Sequence, residues 1–434
     1  MNSGSLGIGL LGLGNVGGGV AQALINNSEL LSEKAGINLE LRKVLVRDIH
    51  KPRLVDLNSD LLTTNWKDLF DDPNVNLIVE LIGGEIPAKK YIELALSKGK
   101  HVVTANKELI AKYGQELLAL AQDTKVNLLF EGSVGGSIPI ISALTRDLSA
   151  NRIDVIRAII NGTSNFILTA MSENNMDGER ALDLAQKLGY AESDPRNDVQ
   201  GIDAAYKLAI LASFAFQSKI APHQVYTQGI STLEPTDFQY ARELGYAIKL
   251  LAIAKCELEE IEVRVHPVLI PLNHILAKVS GAFNAIELEG NLLERTLFYG
   301  LGAGQGPSAS AVLGDILEIG RRISTRSQPI KFTELEQFPK IIPIEELKTR
   351  YYFRLNISDQ AGVLAQITKI LGDLGISIAS VIQKDSNPNA GTAEIVITTH
   401  IAKEKSVLRS LSLLEELEMV EKVNNIIRIE EIAE

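Results

Sequence analysis

Cysteine occurs once in the 434 residues, at Cys256, so neither an intrachain disulfide framework nor a Cys-rich zinc site can be assembled. That scarcity fits a reducing compartment, and a cytoplasmic location is expected. Basic runs are also missing. The net charge is -11, with Lys and Arg scattered, which removes the phosphate attraction that nucleic-acid or anionic-membrane binding draws on. No stretch reaches the roughly 20 consecutive apolar residues that a membrane-spanning helix needs. The leading MNSGSLGIGLLGLGNVGGGV is apolar but lacks a basic region and is crowded with glycine, unlike a secretion signal. Aromatic residues are only 5% of the chain, yet 45% is hydrophobic, enough for cores in about three domains of ordinary size. Small molecules and other proteins remain as partners.

What is present begins with alternation. Short Val/Ile/Leu runs, LGIGLLG, LELRKVLVRD, VNLIVELIG, KHVVTANK and KVNLLFEGS, are separated by helical patterns such as IPAKKYIELALSKG. This predicts an α/β domain with a Rossmann-type, doubly wound parallel sheet over residues 1–136. Residues 137–300 lose the alternation and predict a separate α+β substrate domain, the segment through which the family resemblance described below implies dimerisation. The segment 301–325, a glycine-rich turn and a long amphipathic helix, is expected to complete the first domain. Residues 326–349, with Pro329, Pro339 and Pro343, read as a linker. From 350 to 434, YYFRLNI, a helix from Gly362, ISIASVIQ, TAEIVITT, a helix near 402–417 and KVNNIIRIE spell βαββαβ, the ferredoxin-like order.

The GLGNVG of Gly12, Gly14, Asn15, Val16 and Gly17 follows the first strand and opens a helix, the setting in which glycines admit a pyrophosphate to a helix N-terminus. At the end of the second strand Arg47 precedes Asp48. An Arg there accommodates a 2'-phosphate and an acid the ribose hydroxyl, so NADP is favoured and NAD stays open. Lys107 stands at the start of a helix, where a cation opposes the helix dipole; contact with an anion or a reacting oxygen would account for it. Glu131 and the carbonyls that follow it through Ile138 offer oxygen ligands for a hard monovalent cation, or form a structural turn.

The helix GIDAAYKLAILASFAF, from Gly201 to Phe216, carries only Asp203 and Lys207 as charges, one turn apart. A helix without a polar face is buried, and a buried charge is costly unless paired or used. The two are therefore a site or a structural ion pair. Glu192, Asp194 and Asp198 precede them in GYAESDPRNDVQGID, a carboxylate set able to bind an amine and order water.

Together GLGNVG, VELIGG, TANKELIA, EGSVGGSIPI, NGTSNFIL, LGYAESDPRNDVQGIDAAYK and YGLGAGQGPSASAVLGD resemble homoserine dehydrogenase in content and order across residues 6–325. NISDQAGVLAQITKILGDLGISI resembles an ACT domain, the regulatory module of many bacterial members. No aspartate kinase segment accompanies it, as in the monofunctional form. The resemblance implies reversible reduction of L-aspartate 4-semialdehyde to L-homoserine by NADPH or NADH, on the way to threonine and methionine. It implies Lys207 as proton donor, Lys107 near nicotinamide and substrate, Glu192 on the substrate amine, and Asp198 and Asp203 orienting substrate, water and lysine. It further implies a sodium ion at Glu131, Val134, Gly136 and Ile138, Gly304 on the cofactor, threonine as allosteric ligand, and a homodimer or homotetramer. The rivals are another Rossmann oxidoreductase on an amino-acid-derived substrate and a catalytically silent amino-acid sensor.

Overall fold

The structure is a computed structural model that describes residues 4–53, 55–335, 340–387 and 391–432; Pro339 of the expected linker lies outside them. The chain folds as two compact units. The first comprises 1–154, 206–224 and 286–339, and the second 155–205, 225–285 and 340–434.

In the first unit, β1 (Ser5–Leu11), β2 (Asn38–Leu45), β3 (Leu62–Thr63), β4 (Leu77–Glu80), β5 (His101–Thr104) and β6 (Leu128–Leu129) form a six-stranded sheet in the order β3-β2-β1-β4-β5-β6. Every recorded pairing is parallel. The expected Rossmann-type sheet is therefore present. The sequence reading missed β3, whose two residues are too short to show any alternation. The central strands read as unbroken apolar runs because helices cover both faces: β4 is buried along its whole length and β1 at all but its first residue. Helix α1 (Asn15–Asn26) and helix Gln305–Ser324 pack on the sheet through Val20, Leu24, Ala309, Val312 and Ile316. The C-terminal ends of the parallel strands lead into α1, into α4 (Ala88–Ser97), and into α5 (Lys107–Asp123).

In the second unit, β7 (Ile153–Ile159) pairs with β9 (Tyr246–Glu257), and β9 pairs antiparallel along twelve positions with β10 (Glu260–Pro271). Three further strands, β14 (Lys348–Ser358), β15 (Ile378–Asn387) and β16 (Thr392–Thr399), join with β18 (Val420–Ile429) in the order β18-β14-β16-β15. Helices Val363–Asp373 and Glu404–Glu415 complete the expected βαββαβ unit. The second helix is shorter than the 402–417 pattern because Ala402 and Lys403 are held in a ladder with Thr349 and Lys348. The regulatory sheet is continuous with the rest of the unit: β10 pairs parallel with β18 through Val268 and Leu269 against Arg428 and Ile429.

Buried charge accompanies that join. Arg354, 1% exposed, donates to Asp237 at 2.7 Å, Glu234 at 2.7 Å and Glu394 at 2.8 Å. Asn425 reaches the other Asp237 oxygen at 2.9 Å. Glu430 accepts from Arg264 at 3.0 Å and Lys255 at 2.6 Å, and these cations hold its carboxyl down at about 2 against the upward push of burial. Removing one member would strand a buried charge, so these contacts specify the docking of the regulatory strands more than they add net stability.

Candidate active site

The dinucleotide turn is built as its glycines require. Gly12 has φ of +95°, and a side chain on Gly17 would come within 2.3 Å of the Gly12 carbonyl oxygen. Ahead of them lies a cavity of about 730 Å³ lined by Gly12, Gly14, Asn15, Arg47 and Gln305. Val16, Gly17 and Gly304 are not among the residues that line this cavity; Gly304 caps helix Gln305–Ser324. Sequence reasoning named Arg47 alone as cationic, yet Lys51 and Arg53 line the same cavity. Asp48 accepts the backbone amide of His50 at 2.8 Å, and its own carbonyl accepts from Arg53. The acid thus braces the loop that presents three cations, a setting suited to a phosphate.

Lys107 is positioned by a latch that sequence reasoning did not identify. Glu80, fully buried at the end of β4, accepts from the amides of Ile82 at 2.7 Å and Gly83 at 3.2 Å through one oxygen. The other accepts the Thr104 hydroxyl at 2.6 Å, while Thr104 in turn receives the Asn106 amide. Asn106 caps α5 by accepting Leu109 N–H at 3.2 Å, and its side-chain amide donates to Gly84 O at 2.7 Å. One carboxylate therefore ties together the loops after β4 and β5 and sets the first helical residue, Lys107.

After β6 the chain turns through Gly135 and Gly136, both at positive φ. Glu131 is buried, and its two oxygens accept from Ile141 N–H and Ser142 N–H, each at 2.8 Å. Burial pushes this carboxyl up and the Ser142 and Ile141 amides pull it back. Its side chain is thus committed to the backbone. The carbonyls of Val134 and Gly136, both on buried residues, accept no hydrogen bond among the described residues, whereas Ile138 O accepts from Ile140 N. A donor set of uncommitted carbonyl oxygens suits a hard, singly charged cation, so the loop fits sodium through backbone rather than carboxylate.

In the second unit the polar cluster centres on Asn161, at the end of β7 and the N-cap of α7 (Gly162–Asn174). Its side-chain oxygen accepts Ser164 N–H at 2.7 Å. Both amide hydrogens are spent on carboxylates: Asp198 at 2.7 Å and Asp203 at 2.8 Å. Asn165, one turn on, donates to the carbonyls of Val279, Gly281 and Phe283, which pins the cap under that loop. Helix Ile202–Ala215, whose residues up to 205 belong to the second unit and whose residues from 206 belong to the first, is buried as expected, with Asp203 3% and Lys207 9% exposed and one turn apart along it. Glu192 is exposed, and Asp194 is taken by Arg196 at 2.5 Å, which draws its carboxyl down to about 2. Within NGTSNFIL it is the Asn161 side chain that makes these contacts. An Asn directly after a strand and before a Gly-Thr-Ser helix start was the available signal.

A parallel doubly wound sheet with a nucleotide cavity, followed by a buried acid–lysine helix, defines a nicotinamide-dependent oxidoreductase, here carrying a further βαββαβ domain. Comparison with known proteins narrows this. The homoserine dehydrogenase NAD-binding domain profile matches residues 12–131, the homoserine dehydrogenase profile 139–317, and the ACT domain profile 351–418. The chain is 42% identical over 427 residues to homoserine dehydrogenase of Helicobacter pylori, covering 98% of this chain and 99% of the relative. The crystal structure of a homoserine dehydrogenase from Thiobacillus denitrificans superposes with a TM-score of 0.91 at 43% identity over 98% of each chain. A hyperthermophilic archaeal homoserine dehydrogenase in complex with NADPH superposes at 0.61 with 26% identity, covering 73% of this chain and 97% of that one. The chain belongs to the homoserine dehydrogenase family and carries a C-terminal ACT domain.

If Asn161 holds the two aspartates, Asn161→Ala is expected to cut kcat by about 100-fold through misplaced carboxylates. The lost helix cap costs about 1 kcal/mol of stability in the same variant. Steady-state turnover with homoserine, alongside thermal melting, checks both; unchanged turnover at lowered stability would leave Asn161 a helix cap and nothing more.

Proposed function

We propose that the chain reversibly reduces L-aspartate 4-semialdehyde to L-homoserine, with NADP favoured over NAD, on the way to threonine and methionine. The observation that carries the catalytic reading is the Asn161 bridge, which fixes Asp203 on a buried helix that also bears Lys207. When bound, the reduced nicotinamide supplies a hydride to the aldehyde carbon. As that carbon is reduced, charge develops on the carbonyl oxygen, and the Lys207 ammonium stabilises the oxygen and donates its proton to it. Asp203 and Asp198 orient that lysine, the substrate and an ordered water, while Glu192 binds the substrate amine. Lys107, set by the Glu80 latch, acts near both nicotinamide and substrate.

Preference for NADP rests on Arg47, Lys51 and Arg53 around one cavity, and the archaeal relative solved with NADPH is in keeping with it. The loop from Glu131 to Ile138 holds sodium through the carbonyls of Val134 and Gly136, which stiffens the chain after β6 without joining the chemistry.

The ACT domain receives threonine. Its helix Val363–Asp373 is capped by Gly362 at φ of +95°, and nothing would lie within 4 Å of a side chain there, which leaves the helix N-terminus open to a carboxylate. Because 340–434 belongs to the same compact unit as 155–205 and 225–285, regulation is best tested on the intact chain.

Three outcomes test this reading. Lys207→Ala should abolish NADPH oxidation with aspartate semialdehyde while leaving NADPH affinity, read by fluorescence titration, nearly intact; near-wild-type turnover would sink the proton-donor role. Arg47→Ala should lower kcat/KM for NADPH about 10-fold relative to NADH, the scale of one charge-assisted contact; an unchanged ratio would dismiss Arg47 as selector. Threonine should slow the intact enzyme, and Gly362→Asp, which places a like charge at the helix end, should remove that response; equal inhibition of both proteins rejects this site.

A further inference from the structure

Outside the site described above, the second unit contains a cavity of about 180 Å³ between α7, helix Pro235–Glu243 and β9. Its wall includes Thr169 and Glu173 of α7, Arg242, Tyr246, Lys249 and Ser280. Lys249 is only 6% exposed. Among the described residues its ammonium makes one hydrogen bond, to the carbonyl of Val279 at 2.5 Å, although it has three donors to place. No carboxylate pairs with it within salt-bridge distance among the described residues, and burial pushes this amine down to about 8, with only the charge of Glu173 opposing the shift.

A buried ammonium with two unspent donors is costly, and the cavity beside it has room for about six water-sized atoms. Arg242, exposed at the rim, adds positive charge although one of its nitrogens donates to Ser172 O at 2.8 Å. Glu173, also exposed, accepts the Ser280 hydroxyl at 3.5 Å. The facing charges are therefore Lys249 and Arg242 against Glu173, a net of one positive charge, which favours an anion.

We propose that this cavity is a binding site for a small monocarboxylate, with its oxygens on Lys249 and its body among Thr169, Tyr246 and Ser280. The site belongs to the same helix, α7, whose N-cap is Asn161, and is distinct from the nucleotide cavity and from the helix end at Gly362. Binding requires the ammonium form. Affinity is thus constant below the lysine's native pKa and falls about tenfold per pH unit above it.

Melting temperature of the intact chain, measured with sodium acetate against sodium chloride of equal ionic strength at about pH 7 and about pH 9.5, tests the site, since a ligand that binds only the native state raises it. The expected result is an acetate-specific rise at the lower pH that disappears at the higher pH in the wild type. The rise should also be absent in Lys249→Met, which fills the position with an apolar chain of similar length. An equal acetate effect in wild type and Lys249→Met, or a rise that persists at the higher pH, would overturn the proposal. If Lys249→Met does not fold, the wild-type pH comparison decides alone.

Discussion

Two amide hydrogens on one asparagine organise the polar end of the second unit. Asn161 is 5% exposed, so its donors must be satisfied inside the protein, and they are satisfied by Asp198 and Asp203. Its oxygen meanwhile closes the first turn of α7. A buried carboxylate tolerates few alternatives to such a partner, because an unpartnered charge costs several kcal/mol. The side chain therefore couples three elements, β7, α7 and the buried helix Ile202–Ala215, and gives Asp203 one defined orientation. The roles proposed for Asp203 and Lys207 depend on that orientation.

Glu80 plays the corresponding part in the first unit. Parallel strands deliver their loops to one end of the sheet, but strand ladders do not dictate where those loops go next. A single buried carboxylate, accepting two loop amides and the Thr104 hydroxyl, ties the loops after β4 and β5 together, and Asn106 and Lys107 follow from it. Both units thus use one buried polar group that makes three hydrogen bonds and joins separate segments, an arrangement that rigidifies a site. The family membership states which reaction class these sites serve; their geometry states how the side chains are held.

The ACT strands show a different use of the same rule. Read along the chain, residues 350–434 look like a module behind a proline-bearing linker. In space, β18 lies in the same sheet as β10, and Arg354, Asp237, Glu430 and Arg264 are buried in paired sets across that join. An effector that shifts the regulatory strands would act on a sheet that already includes the β9–β10 hairpin.

By itself the sequence determined the elements and the chemistry of local motifs: the parallel sheet from its apolar runs, the turn of Gly12 and Gly17, the βαββαβ order, and a buried helix on which Asp203 and Lys207 fall on one side. Each of these follows from spacing within a few residues, and periodicity and turn chemistry are local properties. The tertiary structure alone decided which distant groups complete them. Asn161 finds Asp198 and Asp203 across 37 and 42 residues, and Thr104 finds Glu80 across 24. The loop that begins at Glu131 shows the same limit: spacing marked this residue as an oxygen donor, and only the fold shows that its two carboxylate oxygens accept the amides of Ile141 and Ser142. A side chain's hydrogen-bond partner is set by long-range packing, and no pattern of neighbours in the chain encodes it.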